Sequence, residues 1–226
     1  MPEIKIPDAY KRPLSLFAGL TAEKAASLVK SLKKSKPAYS SGGLVSQIAT
    51  EVDISRADLS GILDLLISLL RWQDGTGSTI EAIAQEVAKV AAAERLEGLD
   101  RDLAKTEAFE KRLIEFLSLD QPLRVTSRAS NVYCQQKNLY QSSRILSDVR
   151  AVFSGGDLPE PLAATVIHNL EIVSRTDRNV LSTFFALDNR DLRELKGAIE
   201  RALSKEESLR KFIEGGGLTY IGTESE

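Results

Sequence analysis

The sequence predicts an α+β protein: an N-terminal all-α helical bundle of about five helices, then a small three-stranded antiparallel sheet and one long C-terminal helix. The main observation is a change of hydrophobic period. Apolar residues recur every three or four positions in the first half of the chain, alternate between residues 143 and 187, and return to the helical spacing after Asp188. We therefore divide the chain into a helical bundle domain (1–120), a linker with helical character (121–142) and a β-β-β-α module (143–226).

The composition is typical of a globular protein in solution. Hydrophobic residues make up 42% of the 226 positions and charged residues 27%, and the formal net charge is −2, which gives no gross attraction to nucleic acid or to anionic membranes. The cluster at residues 62–70 contains Asp64 and Ser68 and is too short to span a bilayer. Cys134 is the only cysteine, which excludes an internal disulfide and fits a reducing compartment. We expect a cytoplasmic protein with no membrane association.

The bundle helices follow from apolar spacing and from capping residues. Pro7 and Pro13 predict an irregular arm over residues 1–20, because proline lacks the donor that a helix interior needs. Thr21 is a good N-cap for the first helix. The third helix is apolar over most of its circumference, which indicates a position in the middle of the bundle. The predicted helices cover residues 22–33, 44–52, 56–72, 79–93 and 105–117.

The C-terminal half begins after a proline break. Pro122 interrupts the helical pattern, and we predict a linking helix over residues 128–140. Three strands follow, over residues 144–153, 164–173 and 180–187. The third is apolar on both faces and should be covered on both sides. Asp188 then caps a helix over residues 189–213, whose Leu and Ile side chains recur at helical spacing and should be packed on another surface.

The C-terminal third carries a likeness to a known family. Its residues are the strand SDVRAVF (147–153), the second strand led by PEP (159–161), and FFALD (184–188) running into Leu192 and Leu195. In this order of three strands and a long helix behind an all-helical half, the chain resembles the COMM-domain proteins. The resemblance implies a non-enzymatic adaptor whose C-terminal module dimerises by interlocking its sheet and helix with a copy.

Physical reasoning supports an interaction surface at the same place. Three strands and one helix cannot cover both faces and both edges of a sheet, so an apolar face or an edge must meet the bundle or another chain. We expect a homodimer formed through residues 143–214. The candidate interface residues are Val149, Phe153, Val166, His168, Leu170, Phe184, Phe185, Leu192 and Leu195.

The alternative function is a helix-turn-helix regulator that binds DNA through residues 44–72. Its second helix would begin with Arg56, the candidate DNA-binding residue. Asp58 and Asp64 oppose this function, because carboxylates repel the phosphates that supply much of the affinity for DNA. We therefore favour the protein interface.

No residue cluster in the sequence indicates catalysis. His168 is the only histidine and has no adjacent cysteine, so a core or interface position is expected for it. The glycine runs at 155–156 and 215–217 lack the lysine of a phosphate-binding loop and read as turns and caps. We expect no catalytic, metal or cofactor site and no small-molecule ligand, while an enzyme site assembled from dispersed residues stays open.

Overall fold

The computed structural model describes residues 5–99, 103–119, 121–153, 161–176 and 179–222. Within these ranges the chain forms eight helices and a three-stranded antiparallel sheet, so the α+β class, the sheet and the long C-terminal helix are confirmed. Seven helices, rather than about five, precede the sheet in the described residues. The chain divides into two compact units, Met1–Val132 with Ile221–Glu226, and Tyr133–Tyr220. The elements are α1 (Asp8–Ala18), α2 (Ala22–Lys34), α3 (Ser41–Ile48), α4 (Arg56–Thr76), α5 (Ile80–Ala93), α6 (Leu103–Leu117), α7 (Pro122–Cys134), β1 (Leu139–Val152), β2 (Ala163–Arg175), β3 (Val180–Leu187) and α8 (Asn189–Gly215).

The helix α4 forms the centre of the first unit, as its apolar circumference predicts. Its buried residues are Leu59, Ile62, Leu63, Leu65, Leu66, Ile67 and Leu70. It continues four residues beyond the predicted end and stops where Gly77 adopts a left-handed conformation (φ 67°), which glycine takes without steric cost. Because residues around most of the helix are buried, hydrophobic burial against several neighbouring helices holds this unit together.

The predicted irregular arm over residues 1–20 is wrong, because residues 8–18 form α1. Pro7 lies before the first turn, where a missing donor costs nothing, and Pro13 is accommodated inside the helix. A Cβ at Gly61 of α4 would lie 3.2 Å from Cγ of Pro13, so the glycine allows this close approach. Burial of Leu14 and Phe17 completes the contact. Tertiary packing therefore outweighs the hydrogen bond that Pro13 removes.

An aromatic cluster joins α1 to α6. The ring of Phe17 makes edge-to-face contacts with Phe116 (5.0 Å between centroids) and Phe109 (6.1 Å). Above it, the guanidinium of Arg112 donates from one nitrogen to the carbonyl oxygens of Phe17 (2.8 Å) and Ala18 (2.9 Å). These carbonyls lie in the last turn of α1, and the Phe17 carbonyl also accepts a hydrogen bond from the Leu20 amide (3.4 Å), so Arg112 adds to the capping of the helix. Desolvation lowers the pKa of Arg112 from its ordinary value.

The linker helix begins earlier than predicted. Pro122 does not merely interrupt the pattern but starts α7, since the first helical position needs no N–H donor. Thr126 and Ser127 are buried with partners, because Thr126 accepts a hydrogen bond from the Ala38 amide (2.9 Å) and Ser127 donates to the Ile67 carbonyl (3.3 Å). A search for apolar residues at helical spacing missed the start of this helix, because its buried positions include these hydrogen-bonded polar side chains.

The second unit contains the sheet, in the order β1-β2-β3, with both neighbouring pairs antiparallel. The first strand begins at Leu139, not near residue 144, and an irregularity in its register lies between Tyr140 and Ser142. Thr176 closes the β2–β3 connection, because its amide and hydroxyl both donate to the Asn179 carbonyl. The predicted turn at 154–157, the proline-led segment at 159–160 and residues 177–178 lie outside the described residues.

We predict that replacing Arg112 with alanine lowers the free energy of unfolding of the first unit by about 2 kcal/mol, because two hydrogen bonds from a charged donor are lost. Urea unfolding followed by the fluorescence of Trp72, the only tryptophan, measures this unit. Lys111→Ala is the matched control, since Lys111 is the exposed neighbour on the same helix. Equal midpoints for the two variants would show that α1 ends without help from Arg112.

Candidate interaction surface

The strand register gives the sheet one predominantly apolar face. Directly paired residues lie on the same face, and residues two apart along a strand share it. Ile145 pairs with Leu170, which pairs with Phe185. Four residues along the strands, beyond the Ser147–His168 pair, Val149 pairs with Val166. We call this the apolar face; its members are Ile145, Ser147, Val149, Ala151, Ala164, Val166, His168, Leu170, Ile172, Leu181, Thr183, Phe185 and Leu187.

The apolar face is open to solvent along most of its length. Leu170, in the central strand, is 8% exposed and is the only buried hydrophobic residue among the described positions of the second unit. By contrast, Val149 is 73% exposed and Phe185 is 46% exposed. Monomeric proteins rarely leave a contiguous apolar surface of this kind in water, and such surfaces mark interaction sites.

The opposite face, which we call the mixed face, carries charges between its apolar side chains. Arg144 forms an ion pair with Glu171 across β1 and β2, and the Asn169 amide donates to Asp148 (3.0 Å). Phe184 lies on this face and is 64% exposed. Cross-strand polar pairs of this type hold strands in register while remaining solvated. The mixed face therefore combines polar cross-strand pairs with exposed apolar side chains, among them Leu146, Val152 and Val180.

One polar pair lies within the apolar face. The Ser147 hydroxyl and Nδ1 of His168 are 2.8 Å apart and share a hydrogen bond whose donor depends on the tautomer. The two residues are directly paired across β1 and β2. His168 is half-buried, with Leu187 of β3 on its other side. The pair satisfies one nitrogen of the imidazole inside an otherwise apolar surface.

A capping box at Asp188 fixes the start of α8 directly after β3. The Asp188 carboxylate accepts hydrogen bonds from the amides of Arg190 (2.7 Å) and Asp191 (2.9 Å), and the Asp191 carboxylate accepts from the Asp188 amide. The hydrogen bond from the Asp191 amide is the main cause that lowers the pKa of Asp188 below its ordinary value, with a smaller attraction from Arg190 and His168. The local sequence thus specifies an abrupt change from strand to helix.

The helix α8 leaves the sheet without covering it. None of its 27 residues is buried in the chain, so the surface on which its Leu and Ile side chains are expected to pack is not supplied by the sheet. Ile199 is 53% exposed and Phe212 is 80% exposed. We call its solvent-exposed apolar surface the α8 stripe; its members are Leu195, Ile199, Leu203, Leu209 and Phe212.

All nine candidate interface residues lie in the second unit, but not on one surface. Five of them share the apolar face: Val149, Val166, His168, Leu170 and Phe185. Phe184 is on the mixed face, Phe153 follows the end of β1, and Leu192 and Leu195 are on α8. The sequence reasoning did not select Ile199, Leu203 and Phe212 as site residues, although their helical spacing was visible. It missed the hydrogen bond between Ser147 and His168, which depends on the register.

The alternative DNA-binding residue is engaged inside the first unit. Arg56 begins α4, and its guanidinium donates to the Ser46 hydroxyl (3.0 Å). On the same helix, Asp58 forms an ion pair with Arg12 (2.9 Å), and Asp64 accepts a hydrogen bond from Ser41. A groove-binding helix presents free donors to base edges and phosphates, whereas each of these α4 side chains binds a residue of α1 or α3.

Comparisons with known proteins add no relatives. No protein-family model matches the chain, and no curated protein matches it significantly. Among the described residues, no group of three or more His, Cys, Asp or Glu side chains is arranged to hold a metal ion. The same part of the chain includes no helix of the length and apolar character needed to cross a membrane.

We predict that the capping of α8 is lost in acid. A carboxyl whose pKa is lowered by folding contributes stability above its unfolded pKa, near 3.8, and loses it as the pH falls through the lower folded value. Circular dichroism at 222 nm should therefore show helix loss between about pH 4 and pH 2 that is smaller in Asp188→Ser, because a serine cap does not titrate. Identical acid transitions for the two proteins would contradict this role of Asp188.

Proposed function

We propose that residues 139–215 form a self-association module and that the chain is a non-enzymatic adaptor built on a homodimer. In this proposal the apolar face of one copy receives the α8 stripe of the other. A cytoplasmic location is part of the proposal and rests on the lone Cys134, which suits a reducing compartment. The COMM-domain resemblance implies the same class of function.

The observation that carries the proposal is the exposure of two complementary surfaces in one small unit. Both the apolar face and the α8 stripe are exposed, and only Leu170 among the described hydrophobic residues of this unit is buried. A three-stranded sheet needs a covered hydrophobic face for independent stability. Each surface therefore needs an apolar partner, and the two surfaces are able to cover each other.

The shape of the α8 stripe favours a sheet over a second helix. A two-helix coiled coil buries a narrow seam of positions spaced alternately by three and four residues. On α8 that seam would run through Ile199, Ala202, Glu206 and Leu209. Leu203 and Phe212 lie beside the seam and widen the apolar surface. A wide stripe packs well on a flat sheet face.

We propose a second copy of the chain as the partner that covers these surfaces. A two-fold dimer uses each surface twice, since the face of one copy meets the helix of the other and the reverse. Two equivalent contacts then bury apolar area on all four surfaces without a second kind of partner. The dimer would also present two copies of the helical bundle unit, and paired modules bind a common target with increased avidity.

We predict that Phe185→Glu and Ile199→Glu each convert a dimer to a monomer, because a carboxylate buried in an apolar contact carries an uncompensated desolvation cost. Sedimentation velocity and light scattering over a range of micromolar concentrations measure the association state. We expect the dissociation constant to rise at least tenfold for either variant.

The chain supplies a matched control in the adjacent residue. Phe184→Glu makes the same chemical change at a more exposed phenylalanine on the mixed face, so its dissociation constant should remain within about threefold of the natural protein. A natural chain that stays monomeric at high micromolar concentration would refute the proposal. Equal weakening by the Phe184 and Phe185 variants would refute the assignment of the apolar face.

A further inference from the structure

The first strand of the sheet has a free edge. β1 pairs with β2 on one side, and in the described part of the chain no other strand pairs with it. Every residue of β1 after Leu139 is exposed. Along an edge strand, alternate residues direct their amide and carbonyl groups away from the sheet. β1 therefore presents a row of main-chain donors and acceptors that another strand can bind.

This edge lacks most of the features that prevent natural sheets from pairing with further strands. Edge strands are usually short, or they contain a proline, a lysine or a bulge that disturbs pairing. β1 has 14 residues, more than either other strand, and contains neither proline nor lysine. Its register irregularity lies between Tyr140 and Ser142, so the strand is regular from Ser142 to Val152. A regular strand of this length is able to accept a partner strand.

The charges of β1 are complementary to those of an identical antiparallel strand. Two such strands pair about a two-fold axis, which keeps the equivalent faces of both sheets on the same side. With Val149 opposite its own copy, Asp148 of each strand lies opposite Arg150 of the other. These two side chains are 49% and 62% exposed and are free to reach across the new pair. In the same alignment, the exposed Leu146 and Val152 lie opposite each other on the mixed face.

Other alignments of the two strands are less favourable. Centring the pair on Asp148 or on Arg150 places like charges opposite each other, which is destabilising. Centring it on Ser147 places Arg144 opposite Arg150. Centring it on Leu146 pairs Arg144 with Asp148, but it also places Val149 opposite Ser143 and loses the apolar pairs. The charges and the apolar residues thus agree on the alignment centred on Val149.

The other free edge of the sheet does not specify an alignment. β3 has eight residues and no charged side chain, so no ion pair favours one register over another. The sequence of β1 is therefore the one that selects both a partner strand and its register.

We propose that the β1 edges of two copies of the chain pair antiparallel about Val149 and join their sheets into one continuous sheet. Main-chain hydrogen bonds supply the attraction, and the two Asp148–Arg150 pairs set the register. This contact goes beyond the proposed function, because it uses an edge of the sheet and neither the apolar face nor the α8 stripe. A contact along a single edge buries little surface, so it is weaker than the proposed dimer and forms at higher concentration.

Exchange of the two charges tests the register. The variants are made in the Phe185→Glu chain, in which the contact through the apolar face is removed, and sedimentation equilibrium up to about 1 mM gives the dissociation constants. We expect a weak dimer. Arg150→Asp places two carboxylates opposite each other at two sites, and Asp148→Arg does the same with guanidinium groups, so each should raise the dissociation constant about tenfold.

The double variant Asp148→Arg/Arg150→Asp should return the dissociation constant to within about threefold, because it restores opposite charges in the alignment centred on Val149. In the alignment centred on Leu146 it would instead oppose Arg144 with a second arginine. Lys30→Asp is the control: it makes the same change of net charge as Arg150→Asp at an exposed position of α2, and its effect should stay within about twofold.

Amide hydrogen exchange followed by NMR gives an independent measurement in the same Phe185→Glu chain. Exchange should slow with rising concentration at the β1 amides that point away from β2, and stay constant at the outward amides of β3. A chain that remains monomeric at about 1 mM, with unprotected β1 amides, would overturn the edge contact and leave the proposed dimer intact. A double variant as weak as the single variants would overturn the register. Association of the Phe185→Glu chain as tight as that of the natural chain, and sensitive to the charge exchange, would support the edge contact and refute the contact through the apolar face.

Discussion

The need to remove apolar surface from water is met in different ways by the two units of the chain. In the first unit, α4 is surrounded by other helices, and its Leu and Ile side chains are buried within the same chain. In the second unit, Leu170 is the one buried hydrophobic side chain among the described residues. The strands have the alternation that normally produces a two-layer domain, but the described residues of this unit supply no second layer. The proposed dimer supplies that layer, and the contacts that we propose for it follow from the uncovered apolar surface.

The apolar face stays uncovered because of the direction in which α8 leaves the sheet. A single residue, Asp188, separates β3 from the helix, and its capping box satisfies the first amides of α8 locally. The helix can therefore begin at once, without contacts to the sheet. Its i,i+4 ion pairs, such as those of Arg190 with Glu194 and Arg210 with Glu214, further support a helix that is exposed on all sides. Local interactions thus hold in place an element whose apolar stripe has no cover in its own unit.

Local patterns predicted the elements well, and tertiary contacts explain the failures. Alternation gave the three strands, since the period of two derives from backbone geometry, and the register of the structure then placed Val149, Val166 and Leu170 on one face. The arm around Pro13 was misjudged, because the contact with Gly61 joins residues 48 positions apart in the printed sequence. The direction of α8 could not be predicted either, since an amphipathic pattern shows that a helix has an apolar side but not what covers it.

The two faces of the sheet explain why self-association should choose one of them. On the mixed face, a partner would have to desolvate the Arg144–Glu171 pair and Asp148, and burying paired charges often costs more than it returns. On the apolar face the polar side chains are hydroxyls and one imidazole (Ser143, Ser147, His168, Ser174 and Thr183), and Ser147 and His168 already bond each other. That pair lies between the hydrophobic pairs Ile145–Leu170 and Val149–Val166, so a helix that shifts along the face would meet it in the wrong position. A single satisfied polar pair can in this way favour one register, as isolated polar residues do in coiled-coil seams, while leaving the rest of the contact apolar.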